Sequence, residues 1–550
     1  MKARRKRRPA PAPHPSGVAD DILFIACGEW TADPGLLSAE TMGSKAYNLL
    51  RMAALGLAVP PAFVIATSYC KRFEADPKAA ADTLRPAFPN ALAVLEKASG
   101  LRFGDSQRPL LLSIRSGAPV SMPGMMETLL NVGLCEATLP GFIRLTGNPR
   151  LAWDAYRRLI SGFGEIVAGV PALAFEDELR SATLGQDERQ LDFDQLRSLA
   201  RNYLGAYQAA AGQPFPQDPL DQLERSVAAV FASWHADKAC EYRRMNRIDE
   251  AIGTAVTAQA MVFGNAGGLS GAGVGFSRDP ASGEKSLWVD FLFNAQGEDV
   301  VSGRRSAHGH DRLSAALPEV WNTLEVAAAR LEREFGDMQD FEFTVQEGKL
   351  YLLQARSGKR TVVANARITL DLYDEGILTR EEAVRRLRGL DADSLTVTRI
   401  AGAKGETLAP AGHAAAASSG VACGEIALDE ARAVARNAAG IPVVLVRRDA
   451  ETGDIAALDA AEGLLTQNGA RTSHAAVVAR QLGKVCLVGC AELTIDETAR
   501  TIALGGVQLA EGDLLTLDGN SGCVYAGRMQ VVGDRQEELI KRLEKLRAAK

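Results

Sequence analysis

Residues 340–345 of the chain read DFEFTV, with Asp340, Glu342 and Thr344 alternating with Phe341, Phe343 and Val345. A period of two describes a strand with one polar and one apolar face. Gly348 marks a turn, and KLYLLQAR (349–356) returns as a second strand. Elsewhere the period lengthens to that of a helix. NLLRMAALGL predicts an amphipathic helix stopped by Gly56 and then by Pro60-Pro61. LAWDAYRRLISGFGEIVAG and LDQLERSVAAVFASWHADKACEYRRMN have the same helical spacing. LLLSIRSGAPVSMPGMMETLL predicts a buried strand, a Gly/Pro loop and then a helix. Residues 361–397 predict a charged helical pair, in which DEGILTREEAVRRL is a turn followed by a Thr-capped helix. AGAKGETLAPAGHAAAASSG (401–420) reads as a flexible connection, a compact α/β unit follows to about residue 530, and DRQEELIKRLEKLRAAK closes as a charged helix.

A chain of 550 residues is too long for one core and implies about three or four domains. No apolar run approaches the roughly 18 residues a membrane-spanning helix needs, so no membrane association is expected. The first eight residues hold six Lys/Arg, with Pro and Ala following and no apolar stretch. The stretch reads as a disordered basic tail (1–20), and a secretory signal is not expected. Taking its six charges from the formal −6 leaves −12 on the remainder, which argues against nucleic acid as a partner. The eight cysteines form no CxxC, and Cys486 and Cys490 read as buried thiols in an apolar strand. A reduced, cytoplasmic chain is expected.

The 340–356 hairpin carries the first candidate chemistry. A two-residue turn would put Glu347 at positive φ, which a type I′ turn disfavours. A three-residue loop, Glu347 to Lys349, pairs Gln346 with Leu350, Glu342 with Gln354 and Asp340 with Arg356. Two carboxylates, an amide oxygen and a guanidinium then share one face. Such a set suits Mg²⁺ bridging phosphate oxygens, and suits equally a solvated edge with a surface ion pair. Lys45, at a helix entrance after Gly43, and Arg115, at the end of a buried strand beside Gly117 and Gly124, are candidate phosphate contacts. The Gly-rich NAGGLSGAGVGFSRDP (265–280) suits close approach to phosphate or a plain hairpin connection. In GARTSHAAVVARQLGK (469–484), His474 enters a small-residue helix with no second metal-binding side chain nearby, a setting that suits neither a metal ligand nor a core residue.

SIRSGAPVSMPGMMETLLNVGL, AYRRLISGFGEIVAGV, YRRMN, MVFGN, FNAQGEDVVSG, DMQDFEFTVQEGKLYLLQARSGKRT and TSHAAVVARQLGKVC are similar, in that order, to blocks of the pyruvate, phosphate dikinase family. The resemblance covers nearly the whole chain after the tail. It implies an α/β and α+β multidomain fold: an ATP-grasp nucleotide-binding region (21–360), a helical linker (361–400), a swivelling α/β phosphohistidine domain (401–530) and a C-terminal charged helix (531–550). Carried over by motif, Lys45 and Arg115 contact nucleotide phosphates, with Glu298 and Asp340 in the same site. Glu342 and Gln354 hold Mg²⁺, Arg356 grips the transferring phosphates, and His474 is the phosphocarrier. A neutral imidazole can act as a nucleophile near pH 7. Thr472 caps the helix and in the family is a site of a regulatory kinase, and Ala475, Ala476 and Ala479 leave room for docking against another domain.

The implied chemistry is transfer from ATP to His474 with AMP release, use of inorganic phosphate, and passage of the phosphoryl group to pyruvate. The family's phosphoenolpyruvate/pyruvate barrel is not found in these residues, so a separate barrel protein is expected as partner, and a monomer is expected in its absence. The alternatives are a phosphohistidine transferase serving another acceptor, and a non-catalytic nucleotide-binding relic. Two motifs depart from the family pattern: the usual GGMTSH reads GARTSH, with Ala470 and Arg471 substituted, and TSGTG reads LSGAG, losing hydroxyls at Leu269 and Ala272.

Overall fold

The computed structural model describes residues 17–120, 122, 125–184, 186–301, 310–401, 409–449, 455–471 and 473–548. The tail through residue 16, Gly124, Thr472 and residues 402–408 lie outside them. Two compact units result, Met1–Ala266 with Tyr351–Gln354, and Gly267–Leu350 with Ala355–Lys550. Both mix helices and sheets, as expected for a multidomain α/β chain. Among the described residues no helix is long and apolar enough to cross a membrane.

The first unit is built on β1 (Ile22–Ile25), β2 (Ala62–Ile65), β3 (Leu112–Gly117), β4 (Thr128–Val132) and β5 (Ala255–Ala260), in the order β1-β2-β5-β3-β4, antiparallel throughout. β2 and β5 are buried at every position, the pattern of central strands covered on both faces. The expected helices form at Ser44–Ala54, Pro149–Ala168 and Pro219–Ala232. Tyr156, Phe163 and Tyr207 meet Phe215 edge-on at 6.2, 5.4 and 5.4 Å, the geometry that ring quadrupoles favour. The helix expected over METLL is instead β4. Its pairing with β3, Thr128 opposite Arg115 and Val132 opposite Leu112, overrides a weak local helical pattern.

A four-stranded antiparallel sheet is formed by β6 (Gly271–Phe276), β7 (Trp288–Phe293) and β8 (Gln339–Gln346) of the second unit and β9 (Lys349–Ser357), whose Tyr351–Gln354 counts with the first, in the order β9-β8-β6-β7. The Gly-rich segment is therefore largely a strand. A Cβ on Gly271, Gly273 or Gly275 would lie 2.1, 2.4 or 2.5 Å from the rings of Phe291, Phe343 and Phe341. Those glycines make room for aromatic rings, not phosphate. Ala272 is a buried β6 residue opposite Thr344, so its lost hydroxyl belongs to a core position.

The turn between β8 and β9 has two residues, Glu347 (φ 50°) and Gly348 (φ 77°), not the expected three. Ser270 Oγ accepts from Glu347 N, and Leu269 O from Gly348 N, both at 2.9 Å. These bonds offset a left-handed glutamate, a cost of about 1–2 kcal/mol.

An eight-stranded sheet follows, of β10 (Gly412–His413), β11 (Ala415–Ser418), β12 (Val421–Ala427), β13 (Val443–Arg447), β14 (Gly463–Thr466), β15 (Val485–Val488), β16 (Leu514–Asp518) and β17 (Cys523–Ala526). Its order is β10-β17-β16-β12-β13-β14-β15-β11, with β12 to β15 mutually parallel. The stretch expected to be a flexible connection is thus strand from Gly412 onward. Val444 and Val446 face one core, and Val443 and Leu445 the other. Burial on both faces explains the unbroken apolar runs.

Strand Thr396–Ile400 leads into this sheet and pairs antiparallel with Val531–Arg535, which leaves it. Leu539, Ile540, Leu543 and Leu546 of the terminal helix pack with Val363, Ala366 and Leu370 of helix Val362–Asp374. Arg542 reaches Asp371 at 2.7 Å and Asp374 at 2.9 Å. The expected cap forms at Thr379, whose side chain and that of Glu382 bond each other's backbone.

The cysteines are free, and burial pushes the Cys27 and Cys486 thiols up to about 12 and Cys490 up to about 11. Thiolate is the reactive form, so these three should resist alkylation. At pH 8, iodoacetamide should modify the partly exposed Cys240, Cys423 and Cys523 in the native protein. Cys27, Cys486 and Cys490 should appear modified in peptide mass spectra only after denaturant is added.

Candidate functional site

In the first unit, Lys45 lies in the first turn of helix Ser44–Ala54, and Gly43 precedes it at φ 77°. A Cβ on Gly43 would sit 1.9 Å from Gly117 O. Only glycine permits this backbone contact, which brings the helix entrance to the end of β3. Ser44 N and Oγ both donate to Ala118 O, at 3.0 and 2.9 Å. Two residues before Gly117, half-buried Arg115 leaves β3. Its Nη2 donates to Gln354 Oε1 at 3.4 Å and its Nη1 to Leu353 O at 3.5 Å. Both bonds are long and weak. Lys45 and Arg115 thus serve one end of a sheet, with the Gln354 amide beside the guanidinium.

In the second unit, strand register defines two cross-strand rows on one face of the four-stranded sheet. Trp288, Phe276 and Asp340 form one row, and Asp290, Val274 and Glu342 the next. Asp340 is 3 % exposed, and Arg356 Nε donates to its Oδ2 at 2.8 Å. Burial pushes the Asp340 carboxyl up, Arg356 draws it back and Glu342 pushes it up again, leaving it above the usual carboxylate range. For Arg356 burial opposes the charge, but Asp340 and Glu342 outweigh it and hold the guanidinium above its ordinary value. The Arg356 side chain stays 39 % exposed, so it can meet an anion while bound to Asp340.

An unbroken register from the two-residue turn would place Asp340 opposite Ala355, with Arg356 on the other face. The ion pair requires a one-residue slip in β9, and Gln354 and Ala355, buried in succession, mark the break in its alternation. The expected Asp340–Arg356 pair therefore forms, by a different route from the expected loop.

His474 opens the helix His474–Gln481. Its N-cap is Ser473, whose Oγ accepts from Ala476 N at 3.4 Å, and not Thr472. Ala475, Ala476 and Ala479 are buried against Val443, Leu445, Leu464 and Cys486 of their own sheet. They are small because the helix lies close on that sheet, so they are not free for docking elsewhere. Glu298 falls in the short helix Gly297–Val301. Glu298 and His474 are placed by backbone alone.

Three residues of this region escaped the reading from sequence: Trp288, Asp290 and Arg480. Arg471 lies over the Trp288 ring at 4.1 Å, and its Nη2 is 3.7 Å from Asp290 Oδ1. Arg480, 1 % exposed, lies 5.4 Å from the Phe276 ring and 5.9 Å from Trp288. Burial pulls its guanidinium below the ordinary value. The available signal was Asp290 itself, a carboxylate inside an otherwise apolar strand, WVDFLF.

Among the described residues no three His, Cys, Asp or Glu side chains converge as a metal site. Counted from the two-residue turn, Gln354 stands opposite Phe341 and not opposite Glu342, so the expected Glu342–Gln354 pairing is not met by strand register. Glu342 is a hard oxygen donor of the kind Mg²⁺ takes when phosphate and water complete its shell.

Residues 82–311 and 308–376 match the family model described as "Pyruvate phosphate dikinase, AMP/ATP-binding domain", and residues 440–522 match "PEP-utilising enzyme, mobile domain". These matches place the chain among proteins that join a nucleotide-binding region to a mobile domain. It belongs to the pyruvate, phosphate dikinase family. It is 43 % identical over 496 residues to pyruvate, phosphate dikinase of Clostridium symbiosum, covering 89 % of this chain and 56 % of that one. It is 40 % identical over 521 residues to the Rhizobium meliloti protein of that name, covering 92 % and 58 %. Identity to chloroplastic pyruvate, phosphate dikinase 1 of Arabidopsis thaliana is 38 % over 530 residues, covering 96 % and 55 %. The chain thus spans little more than half the length of these relatives.

If the helix alanines serve their own sheet, Ala476→Leu should destabilise the eight-stranded region by about 1–3 kcal/mol through overpacking. Urea unfolding followed by hydrogen exchange should place the loss in β13 to β15 and helix His474–Gln481.

Proposed function

We propose that this chain is an ATP- and Mg²⁺-dependent phosphotransferase of the pyruvate, phosphate dikinase type, with His474 as its phosphocarrier. The nucleotide-binding region, of ATP-grasp type, is residues 21–360, and the swivelling phosphohistidine domain is 401–530. Residues 361–400 and the closing 531–550 lie on either side of that domain. Lys45 and Arg115 meet the nucleotide phosphates, with Glu298 and Asp340 contributing to the same task. Glu342 and Gln354 would hold Mg²⁺, which when bound would neutralise phosphate charge. Arg356, anchored on Asp340, grips the phosphates that transfer.

The imidazole nitrogen of His474 attacks the β-phosphorus of ATP. The Pα–O–Pβ bond breaks, and AMP leaves with its electron pair. Inorganic phosphate then attacks the γ-phosphorus, pyrophosphate departs, and a phosphoryl group stays on His474. The phosphoramidate carries that group to pyruvate at an acceptor site outside the two units, for which a separate barrel chain is the proposed partner. Thr472, beside the carrier, is the proposed target of a regulatory kinase.

One observation supports this reading above the others. The segment that leads into His474 rests on the same sheet face that bears Asp340, Glu342 and Arg356. Close approach of nucleophile and phosphate-gripping groups is the main requirement of phosphoryl transfer, which proceeds by positioning and charge neutralisation.

Incubation with Mg²⁺ and ATP labelled at the β-phosphate should leave acid-labile, alkali-stable label on the wild type and none on His474→Asn. Label on the variant, or none on a wild type that still binds ATP, would overturn the assignment.

A further inference from the structure

Arg471 stands three residues ahead of His474 and extends away from its own sheet. Its guanidinium stacks on Trp288, and its Nη2 faces Asp290. Trp288 and Asp290 alternate on β7 and head the two cross-strand rows that end in Asp340 and Glu342. One side chain therefore spans both rows at the edge of the face where phosphate is proposed to bind. The contact is largely dry, since the Arg471 side chain is 23 % exposed and that of Asp290 3 %. Desolvation strengthens both a cation–π contact and an ion pair.

The other end of Arg471 is anchored as well. Its carbonyl accepts from Arg480 Nη1 at 3.0 Å, and the same nitrogen donates to Ala417 O of β11 at 2.9 Å. The segment before His474 is thereby tied to its own domain through the backbone and to the four-stranded sheet through the side chain. Planar stacking combined with a carboxylate contact is a guanidinium's property, which neither methionine nor a neutral amide reproduces.

We propose that Arg471 is a positioning residue: it latches the segment ahead of His474 onto Trp288 and Asp290 and so raises the population of the arrangement in which His474 accepts phosphate from the nucleotide. The latch rests on the functional reading above, but the contact itself can be tested without it. In Arg471→Met, labelling of His474 at saturating ATP should slow by about 10-fold, the loss expected for one desolvated cation–π and ion-pair contact. The Kd for ATP and the melting temperature should stay as in the wild type, and Arg471→Lys should recover part of the rate.

Hydrogen exchange supplies the independent arm. In Arg471→Met without nucleotide, amides of β7 and of residues 469–471 should exchange faster together, while β13 and β14 keep their protection. Equal labelling rates in wild type and Arg471→Met, or unchanged exchange at β7, would overturn the latch. If the wild type takes no label yet exchange at β7 rises in the variant, the functional reading falls and the latch stands as a docking contact.

Discussion

The placement of charge in the second unit depends on one buried ion pair. Asp340 lies within a sheet that otherwise buries Phe341, Phe343 and Val345, and an isolated carboxylate there would shed its charge by taking up a proton. Arg356, at 2.8 Å, is what makes ionisation tolerable. The pair is asymmetric: the carboxylate is sealed, whereas the guanidinium keeps more than a third of its side chain in solvent. Such a pair adds little net stability, because desolvation consumes most of the Coulomb gain. What it does fix is geometry, holding a cation at the sheet surface with Glu342 on the next row. A lone surface arginine would sample many rotamers and lose more entropy on meeting a phosphate.

Much of this was legible from local chemistry. Alternation over 340–345 fixed which residues of β8 share a face, and the Thr379 cap, the helix ending before Gly56 and the buried thiol of Cys486 all followed from short-range rules. The failures share a cause, which is a partner remote in sequence. The two-residue turn is viable because Ser270, 77 residues upstream of Glu347, binds its N–H. The strand at 128–132 exists because β3 pairs with it. The glycines of β6 looked like a phosphate cradle because nothing local revealed that three phenylalanine rings from β7 and β8 lie over them.

The candidate site was legible as a set of residue types and less so as an arrangement. Lys45 and Arg115 are brought to one sheet end by the Gly43–Gly117 backbone contact, which neither motif announces by itself. Trp288 and Asp290 gave only a weak signal, since tryptophan in a strand is ordinary core and a single aspartate is an ordinary exception. Their meaning comes from register: β7, β6 and β8 set them in rows with Asp340 and Glu342. Ala475, Ala476 and Ala479 show the converse error. Their size was read as clearance for another domain, whereas the eight-stranded sheet beneath the helix already uses it.

Arg480 contrasts with the Asp340–Arg356 pair, being a buried cation without a carboxylate hydrogen-bonded to it among the described residues. Its Nη1 is bonded to two carbonyls, but among the described residues its Nε and Nη2 find no acceptor, and the rings of Phe276 and Trp288 lie within 6 Å. Unsatisfied buried donors on a charged group cost on the order of 1–3 kcal/mol, and the ring faces and the field of Asp340 and Asp290 return only part of that. Arg480 is thus held by two carbonyls of its own domain and by ring faces, whereas Arg471, nine residues earlier, has the Asp290 carboxylate within 3.7 Å. The two arginines meet the same strand by different means, one through aromatic faces alone and one through a ring and a carboxylate together.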